Sequence, residues 1–233
     1  MGMEKQVSGS PILFMNTFPK NYFDKYYGGT DIKNPLQKLD FYRRVIIESL
    51  PELQKHIKLL DIGCGYGGFL KTLEVDKMIA TYGIDAGDYA ITYARQHTHR
   101  TKFWVTTVKR FKTNIKFHII TAFDVLEHIS ELDSALYRVS SLLAKNGRFI
   151  CVVPVYDGIF GRIGGLLDTD VTHVHKRSRH FWRDKLSEQF EIIGTYGILR
   201  YNAPLMGYVH FASPSLSAWG QAVLFSMKKR RAV

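Results

Sequence analysis

The residues between Leu59 and Leu70, LLDIGCGYGGFL, constrain the fold of this chain more than any other stretch. A short apolar run leads into a turn dense in glycine, and apolar residues that can begin a helix follow. A strand that enters a glycine-rich turn and leaves as a helix is typical of the first unit of a nucleotide-cofactor domain. The glycines permit backbone conformations closed to other residues, and they let a ligand lie against the main chain. The stretch therefore predicts an α/β fold with a cofactor at this turn.

The glycine turn satisfies two different cofactor patterns. Gly63, Gly65 and Gly68 spell GxGxxG, the dinucleotide fingerprint. Gly63, Gly65 and Gly67, preceded by Asp61, instead resemble the first motif of class I S-adenosylmethionine-dependent methyltransferases. A carboxylate at position 61 would repel a nearby pyrophosphate, whereas a cationic sulfonium ligand with an amino group tolerates it. Asp61 therefore favours the methyltransferase pattern.

Strand and helix patterns alternate five times between Ile57 and Val153, which predicts a parallel sheet with helices on both faces. A helix over 132–143 is expected to end at a Gly147 cap. The residue patterns at 191–199 and 208–212 predict two closing strands. The stretch 215–227 predicts a last helix. We expect one domain with a Rossmann-like, seven-stranded, mainly parallel sheet. Its parts are an N-terminal arm and helix (1–50), a cofactor-binding core (51–154), a lid insertion (155–190), and closing strands with a basic tail (191–233).

Two later stretches strengthen the resemblance. IITAFDVLEHI (119–129) and LLAKNGRFICVVP (142–154) resemble the fourth-strand motif and the next motif of a large methyltransferase group. That group includes the ubiquinone-biosynthesis O-methyltransferases. Asp85 lies 20 residues beyond Gly65, where an acid at the tip of the neighbouring strand can accept both ribose hydroxyls. Capping the following helix is the simpler role open to Asp85.

The resemblance implies a cofactor, S-adenosyl-L-methionine, and a position for each residue that would bind it. Asp61 would lie near the methionine amino group, and Asp85 would bind the ribose. The chain departs from the family after the third strand, where no carboxylate is available for the adenine amino group and Thr107 or backbone groups would have to serve. The implied cofactor-binding residues are Asp61, Gly63, Cys64, Gly65, Gly67, Asp85, Ala86, Asp124 and Val125.

Histidines supply the candidate catalytic bases. His128 follows the cofactor strand, and His173 begins HVHKRS, which resembles the start of the lid helix in relatives. Either imidazole could take a proton from the acceptor, and either could simply pack and hydrogen-bond. Some relatives hold a divalent ion with a comparable motif, so Asp124, Glu127, His128 and His173 form a possible set of ligands. We expect no metal and keep this alternative open.

Composition leaves the acceptor undetermined. The net charge of +11 indicates either attraction to a polyanion such as nucleic acid or a basic surface that has no dedicated partner. An RNA methyltransferase therefore remains an alternative to a small-molecule enzyme. A cofactor-binding protein without transferase activity is the third possibility. Two cysteines far apart in sequence favour a reducing compartment, hence a cytoplasmic protein. No apolar run is long enough to predict a membrane span.

Overall fold

The computed structural model describes residues 35–50, 56–203 and 207–230. The expected N-terminal arm therefore lies outside the described residues. The strands, numbered in chain order, are β1 Ile57–Ile62, β2 Ile79–Asp85, β3 Lys102–Val105, β4 Phe117–Phe123, β5 Leu143–Pro154, β6 Phe190–Ala203, β7 Gly207–Ser213 and β8 Ala222–Lys229. The helices are α1 Leu36–Glu48, α2 Gly68–Leu73, α3 Asp88–His97, α4 Leu132–Leu142, α5 Gly158–Leu167 and α6 Arg179–Ser187, with 3₁₀ turns at Leu126–His128 and Pro214–Ala218.

The strands form one eight-stranded sheet in the order β3-β2-β1-β4-β5-β8-β6-β7. Strands β1 to β5 pair in parallel. Strand β8 runs antiparallel between β5 and β6, and β7 pairs antiparallel with β6 at the edge. From β1 the successive strands β2 and β3 are added on one side, whereas β4 and β5 are added on the other. Open α/β sheets bind ligands in the crevice at such a reversal of strand order, here at the carboxyl ends of β1 and β4.

Apolar residues cover both faces of the sheet. Along β1, Leu59 belongs to one buried cluster and Leu60 to the other, because successive side chains of a strand point to opposite faces. Tyr42 of α1 packs on the first face and Trp182 of α6 on the second. Trp182 is fully buried, and its indole N–H donates to the Pro154 carbonyl at 3.2 Å. The α/β class and the helices on both faces are as the sequence predicts.

The prediction of a last helix over 215–227 is wrong. The chain forms the short 3₁₀ turn Pro214–Ala218 and then strand β8, so the sheet has eight strands where we expected seven. Residues 222–227 are all buried, with β5 on one side and β6 on the other. A strand buried on both faces reads as a continuous apolar run, which periodicity cannot distinguish from a buried helix.

The expected glycine cap of α4 is also wrong. The helix ends at Leu142, and the next residue already has an extended backbone, so Gly147 lies within β5. A Cβ at Gly147 would lie 2.9 Å from the Phe117 carbonyl oxygen. The glycine therefore permits close approach of β4, next to the register shift between Phe117 and Ile119.

The expected lid region carries α5. Its apolar side chains Ile159, Phe160, Ile163 and Leu166 are exposed, Leu166 to 87%. The described part of the chain contains no helix with the length and apolar character needed to cross a membrane.

Two glycines of β6 give a matched test of this packing. A Cβ at Gly197 would lie 1.8 Å from the Leu216 carbonyl oxygen, whereas one at Gly194 would meet only Ser226, at 3.9 Å. Gly197→Ala should lower the free energy of unfolding by ~1–3 kcal/mol, because backbone atoms must move. Gly194→Ala should leave it unchanged or raise it by up to ~1 kcal/mol. Urea unfolding checks both, and equal effects would contradict the tight contact between β6 and the 3₁₀ turn.

Candidate functional site

Three glycines of the turn between β1 and α2 have left-handed backbone conformations. The φ angles of Gly63, Gly65 and Gly67 are 68°, 49° and 76°. The N–H groups of Gly63 and Cys64 donate to the Ile84 carbonyl at 2.8 and 3.1 Å, which ties the turn to β2. Residues with side chains rarely adopt such angles, so this backbone path requires glycine.

Gly68 distinguishes the two cofactor patterns. The third glycine of a dinucleotide fingerprint is needed for close packing of helix on strand. A Cβ at Gly68 would meet no heavy atom of the described residues within 4 Å. At Gly67, by contrast, a Cβ would lie 3.1 Å from the Cβ of Ala94. The constrained glycines are therefore those of the methyltransferase pattern.

Asp85, at the end of β2, holds the glycine turn in place. One carboxylate oxygen accepts the Gly65 N–H at 2.9 Å, and the other accepts the Gly87 N–H at 2.7 Å. Asp85 does not cap α3, whose N-cap is Gly87. Each carboxylate oxygen can accept a second hydrogen bond, so ribose hydroxyls could still be bound. Burial raises the pKa of Asp85.

Asp61 is a buried acid beside the turn. Its side chain accepts the Thr121 hydroxyl at 2.6 Å, from the position paired with it on β4. Burial raises the pKa of Asp61 to about 7. A carboxyl group with this pKa is partly protonated near neutral pH and would ionise fully beside a cation.

The remaining predicted cofactor residues lie around the same strand ends. Cys64 is buried, and burial raises the pKa of its thiol, so it is a packing residue of the turn. Ala86 is half-buried after Asp85, and Thr107 is half-buried beyond β3. Val125 fills the space over the turn, since a Cβ at Gly63 would lie only 2.4 Å from its side chain.

Asp124 makes ion pairs that its sequence position did not suggest. Its oxygens accept from both terminal nitrogens of Arg200 at 2.7 Å, and from the Lys38 ammonium at 3.3 Å. Asp124 is the one non-glycine residue of the described ranges with a positive φ, at 57°. Burial opposes ionisation, but Arg200 and Lys38 hold the pKa of Asp124 well below its usual range.

The two candidate histidines meet although they are 45 residues apart in sequence. The ring centres of His128 and His173 are 4.6 Å apart. The N–H groups of Val174 and His175 donate to the Glu127 carbonyl at 3.0 and 3.1 Å, so backbone hydrogen bonds dock the lid segment on the 3₁₀ turn after β4. Burial, followed by the neighbouring His173, lowers the pKa of His128 to about 4.

A carboxylate orients His173. Asp168 Oδ2 lies 2.7 Å from His173 Nδ1 and accepts the Tyr156 hydroxyl at 2.5 Å. An N–H at Nδ1 that donates to Asp168 leaves Nε2 as the acceptor nitrogen. Burial opposes ionisation of Asp168, but hydrogen bonds from Tyr156 and His173 hold its pKa below the usual range. The pair has the arrangement of an oriented general base.

Three of the four possible metal ligands also converge here. Atoms of Glu127, His128 and His173 lie within 4.8 Å of one another. Glu127 is 1% exposed, and its Oε2 has no hydrogen-bond partner among the described residues. One carboxylate and two imidazoles suit a divalent transition metal ion, which would supply positive charge beside an acceptor oxygen. Asp124 is not part of this group, because Arg200 and Lys38 occupy its carboxylate.

Sequence reasoning missed several residues that complete the site. Arg200 and Lys38 gave no signal, because only the packing of β6 and α1 brings them to the end of β4. Asp168 gave a weak signal, since it is an acid five residues before His173 at the end of an apolar and glycine-rich segment.

Comparisons with known proteins agree with this geometry. A family model described as a methyltransferase domain matches residues 36–193. The ubiquinone biosynthesis O-methyltransferase of Pelagibacter ubique is 31% identical over 55% of this chain and 55% of its own length. The mitochondrial one of Schizosaccharomyces pombe is 27% identical over 62% of this chain and 54% of its own length. The chain thus spans about half the length of these curated relatives.

Solved structures show the same fold. The N-methyltransferase NodS of Bradyrhizobium japonicum, in complex with S-adenosylhomocysteine, has a TM-score of 0.60 at 15% identity, over 91% of this chain and 98% of that one. The YcgJ protein of Bacillus subtilis has a TM-score of 0.61 at 18% identity, over 83% of this chain and 100% of that one. The family match covers more than half of the chain and includes the glycine turn and the β4 end. The chain therefore belongs to the methyltransferase domain family.

Proposed function

We propose that this protein transfers the methyl group of S-adenosylmethionine to a hydroxyl oxygen of a small-molecule acceptor. The relatives named as ubiquinone biosynthesis O-methyltransferases support oxygen as the methylated atom. The observation that carries the proposal is the pair of His173 and Asp168 beside His128 at the end of β4. The same strand end contacts the glycine turn through Val125.

The methyl carbon of the cofactor is already activated by the positively charged sulfur. The protein therefore has to align the acceptor with this carbon, exclude water from both and remove the proton of the acceptor hydroxyl. His173 Nε2 accepts the hydroxyl proton as the acceptor oxygen bonds to the methyl carbon. Bound S-adenosylmethionine would supply the methyl group, and its sulfur would keep the electron pair of the broken carbon–sulfur bond as a neutral thioether. Asp168 stabilises the imidazolium that forms. His128, whose pKa of about 4 keeps it neutral, would not repel this cation.

The cofactor-binding roles follow the turn geometry. The backbone at Gly63, Gly65 and Gly67 would face the methionine and ribose, and Asp85 would accept the ribose hydroxyls. Asp61 would receive the amino group, since a buried acid beside a cation ionises readily. Asp124 and Val125 would border the sulfonium end, with the Asp124 carboxylate turned toward Arg200 and Lys38.

Two glycine variants test the cofactor site. Gly63→Ala should weaken binding of S-adenosylhomocysteine about tenfold or more, because its left-handed φ disfavours alanine and the new Cβ would displace Val125. Gly68→Ala should bind normally, since a Cβ there has room. Isothermal titration calorimetry measures both. Weaker binding in Gly68→Ala alone, or no binding of either S-adenosylmethionine or S-adenosylhomocysteine to the folded wild type, would contradict the proposal.

Proton release tests Asp61. With a pKa of about 7, Asp61 is about half-protonated at neutral pH, and a bound ammonium should lower that pKa. Binding of S-adenosylmethionine at pH 7 should therefore release up to about half a proton. Calorimetry in two buffers of different ionisation enthalpy measures the release, and Asp61→Asn should abolish it. Equal release by Asp61→Asn would assign the proton to another group.

The same pKa predicts how stability depends on pH. The folded pKa of Asp61 lies above its ordinary 3.8, so the folded state binds the extra proton between these values. Stability of the cofactor-free wild type should fall as pH rises from about 4 through 7, relative to Asp61→Asn. Urea unfolding at several pH values provides this comparison.

Histidine variants test the base. His173→Ala should lower kcat about 10²–10⁴-fold with catechol as the probe acceptor, because the proton has no acceptor in the transition state. Asp168→Asn should lower it less, and both should keep wild-type affinity for S-adenosylhomocysteine. His180→Ala, an exposed histidine of α6, is the matched control and should be fully active.

A chelator distinguishes a base from a metal ligand. If His173 acts as the base, prolonged treatment with EDTA should leave kcat unchanged. The metal alternative predicts that EDTA abolishes activity and that added Mn²⁺ or Zn²⁺ restores it in the wild type but not in Glu127→Gln. That result would assign Glu127, His128 and His173 to a bound ion.

A further inference from the structure

The sheet ends in two edge strands, β3 and β7, and only β3 has features that prevent edge-to-edge pairing. Strand β3 has four residues and begins with Lys102. Short edge strands and edge lysines keep another chain from adding a strand. Strand β7 has seven residues, GYVHFAS, with no lysine, arginine, acid or proline. Its outer edge pairs with no strand of the described residues, so backbone N–H and C=O groups are available there.

Strand β7 is also regular. All seven of its residues pair with β6, and the pairing contains no bulge. A bulge would twist the edge away from an incoming strand. Val209 and Phe211 belong to the β-branched and aromatic types that favour strand pairing. The edge is therefore suited to the addition of an antiparallel strand.

The two faces of this edge differ in what covers them. The ring of His210 lies against α1, with its centre 5.2 Å from that of Phe41. Because successive side chains of a strand alternate, Val209 and Phe211 point to the face away from α1. Phe211 is 58% exposed on that face.

Cross-strand neighbours on β6 extend the apolar face. Leu199 pairs with Phe211, and Tyr201 pairs with Val209, so the four side chains form one patch. Tyr201 is 54% exposed. A strand added beside β7 would give Phe211 cross-strand neighbours on both sides and remove apolar surface from water.

On the face toward α1, a cleft of about 620 Å³ lies between the helix and β7. Asp40, Arg43 and Arg44 line its helix side. The Nε of Arg43 is buried and has no acceptor among the described residues. Asp40 and Arg44 are exposed, lie one helical turn apart and form no ion pair within the described ranges. The cleft thus presents charges of both signs, which the same two residues in reverse order would complement.

We propose that the β7 edge is an interface with a second copy of this chain, formed by antiparallel pairing of β7 with β7 of the other copy. Such pairing joins the two sheets about a two-fold axis perpendicular to them. The axis reverses the direction of α1 and keeps both helices on one face, so Asp40 of each copy lies toward Arg44 of the other. The apolar patches of the two copies become continuous on the opposite face. A uniformly charged partner would lack this complementarity.

Sedimentation velocity over a concentration series tests the interface. The wild type should form a dimer as its concentration rises. Phe211→Lys introduces the charge that protects natural edge strands and should weaken association about tenfold or more. Tyr137→Lys, which replaces an exposed aromatic residue of α4, is the matched control and should associate as the wild type does. Both variants should keep the circular dichroism spectrum of the wild type and its affinity for S-adenosylhomocysteine.

A charge swap tests the arrangement of the helices. Asp40→Lys alone and Arg44→Glu alone should each weaken association, because each homodimer would bring like charges together twice. A mixture of the two variants should associate as tightly as the wild type, since every contact between the copies again joins opposite charges. Mixing would not relieve an effect confined to one helix.

Three results would overturn the inference: a monomeric wild type throughout the concentration series, full association of Phe211→Lys, or no recovery in the mixture. A monomeric wild type would leave the β7 edge to a different protein. Because affinity for S-adenosylhomocysteine is measured on the same samples, failure of association is recognised separately from failure of the proposed function.

Discussion

The contact of Val125 with Gly63 is the constraint on which the site depends. It joins the carboxyl ends of β1 and β4, which parallel pairing brings to one edge of the sheet. The left-handed turn is possible because Gly63 has no Cβ, and that missing atom makes room for Val125. The residues after Val125 then continue into the 3₁₀ turn that presents His128. The glycine turn and the end of β4 are thus positioned by the same packing contact.

Charge at this edge is divided into two groups with different roles. On one side, Asp168 holds His173 next to a neutral His128, which suits proton transfer. The second group consists of Lys38 and Arg200, which share the carboxylate of Asp124. Asp124 directly follows β4, and His128 belongs to the 3₁₀ turn that comes next, so both groups lie near the β4 end.

Local patterns predicted the fold where neighbours along the chain are also neighbours in space. The five strands predicted between Ile57 and Val153 all occur, and they pair in parallel as the pattern indicated. The failures share a physical cause. Strand β8 is buried on both faces, so its apolar run carries no alternation. Gly147 looked like a helix cap because the sequence does not reveal how closely β4 approaches β5.

The sequence by itself determined the α/β class, the glycine turn, the acid at position 85 and the two histidines that meet, because these depend on local spacing and residue chemistry. Only the tertiary structure decided which other residues join them. Arg200 reaches Asp124 because β8 inserts between β5 and β6, and Lys38 reaches it because α1 packs on the sheet. Contacts between residues 76 or 86 positions apart depend on strand order, which no local pattern encodes.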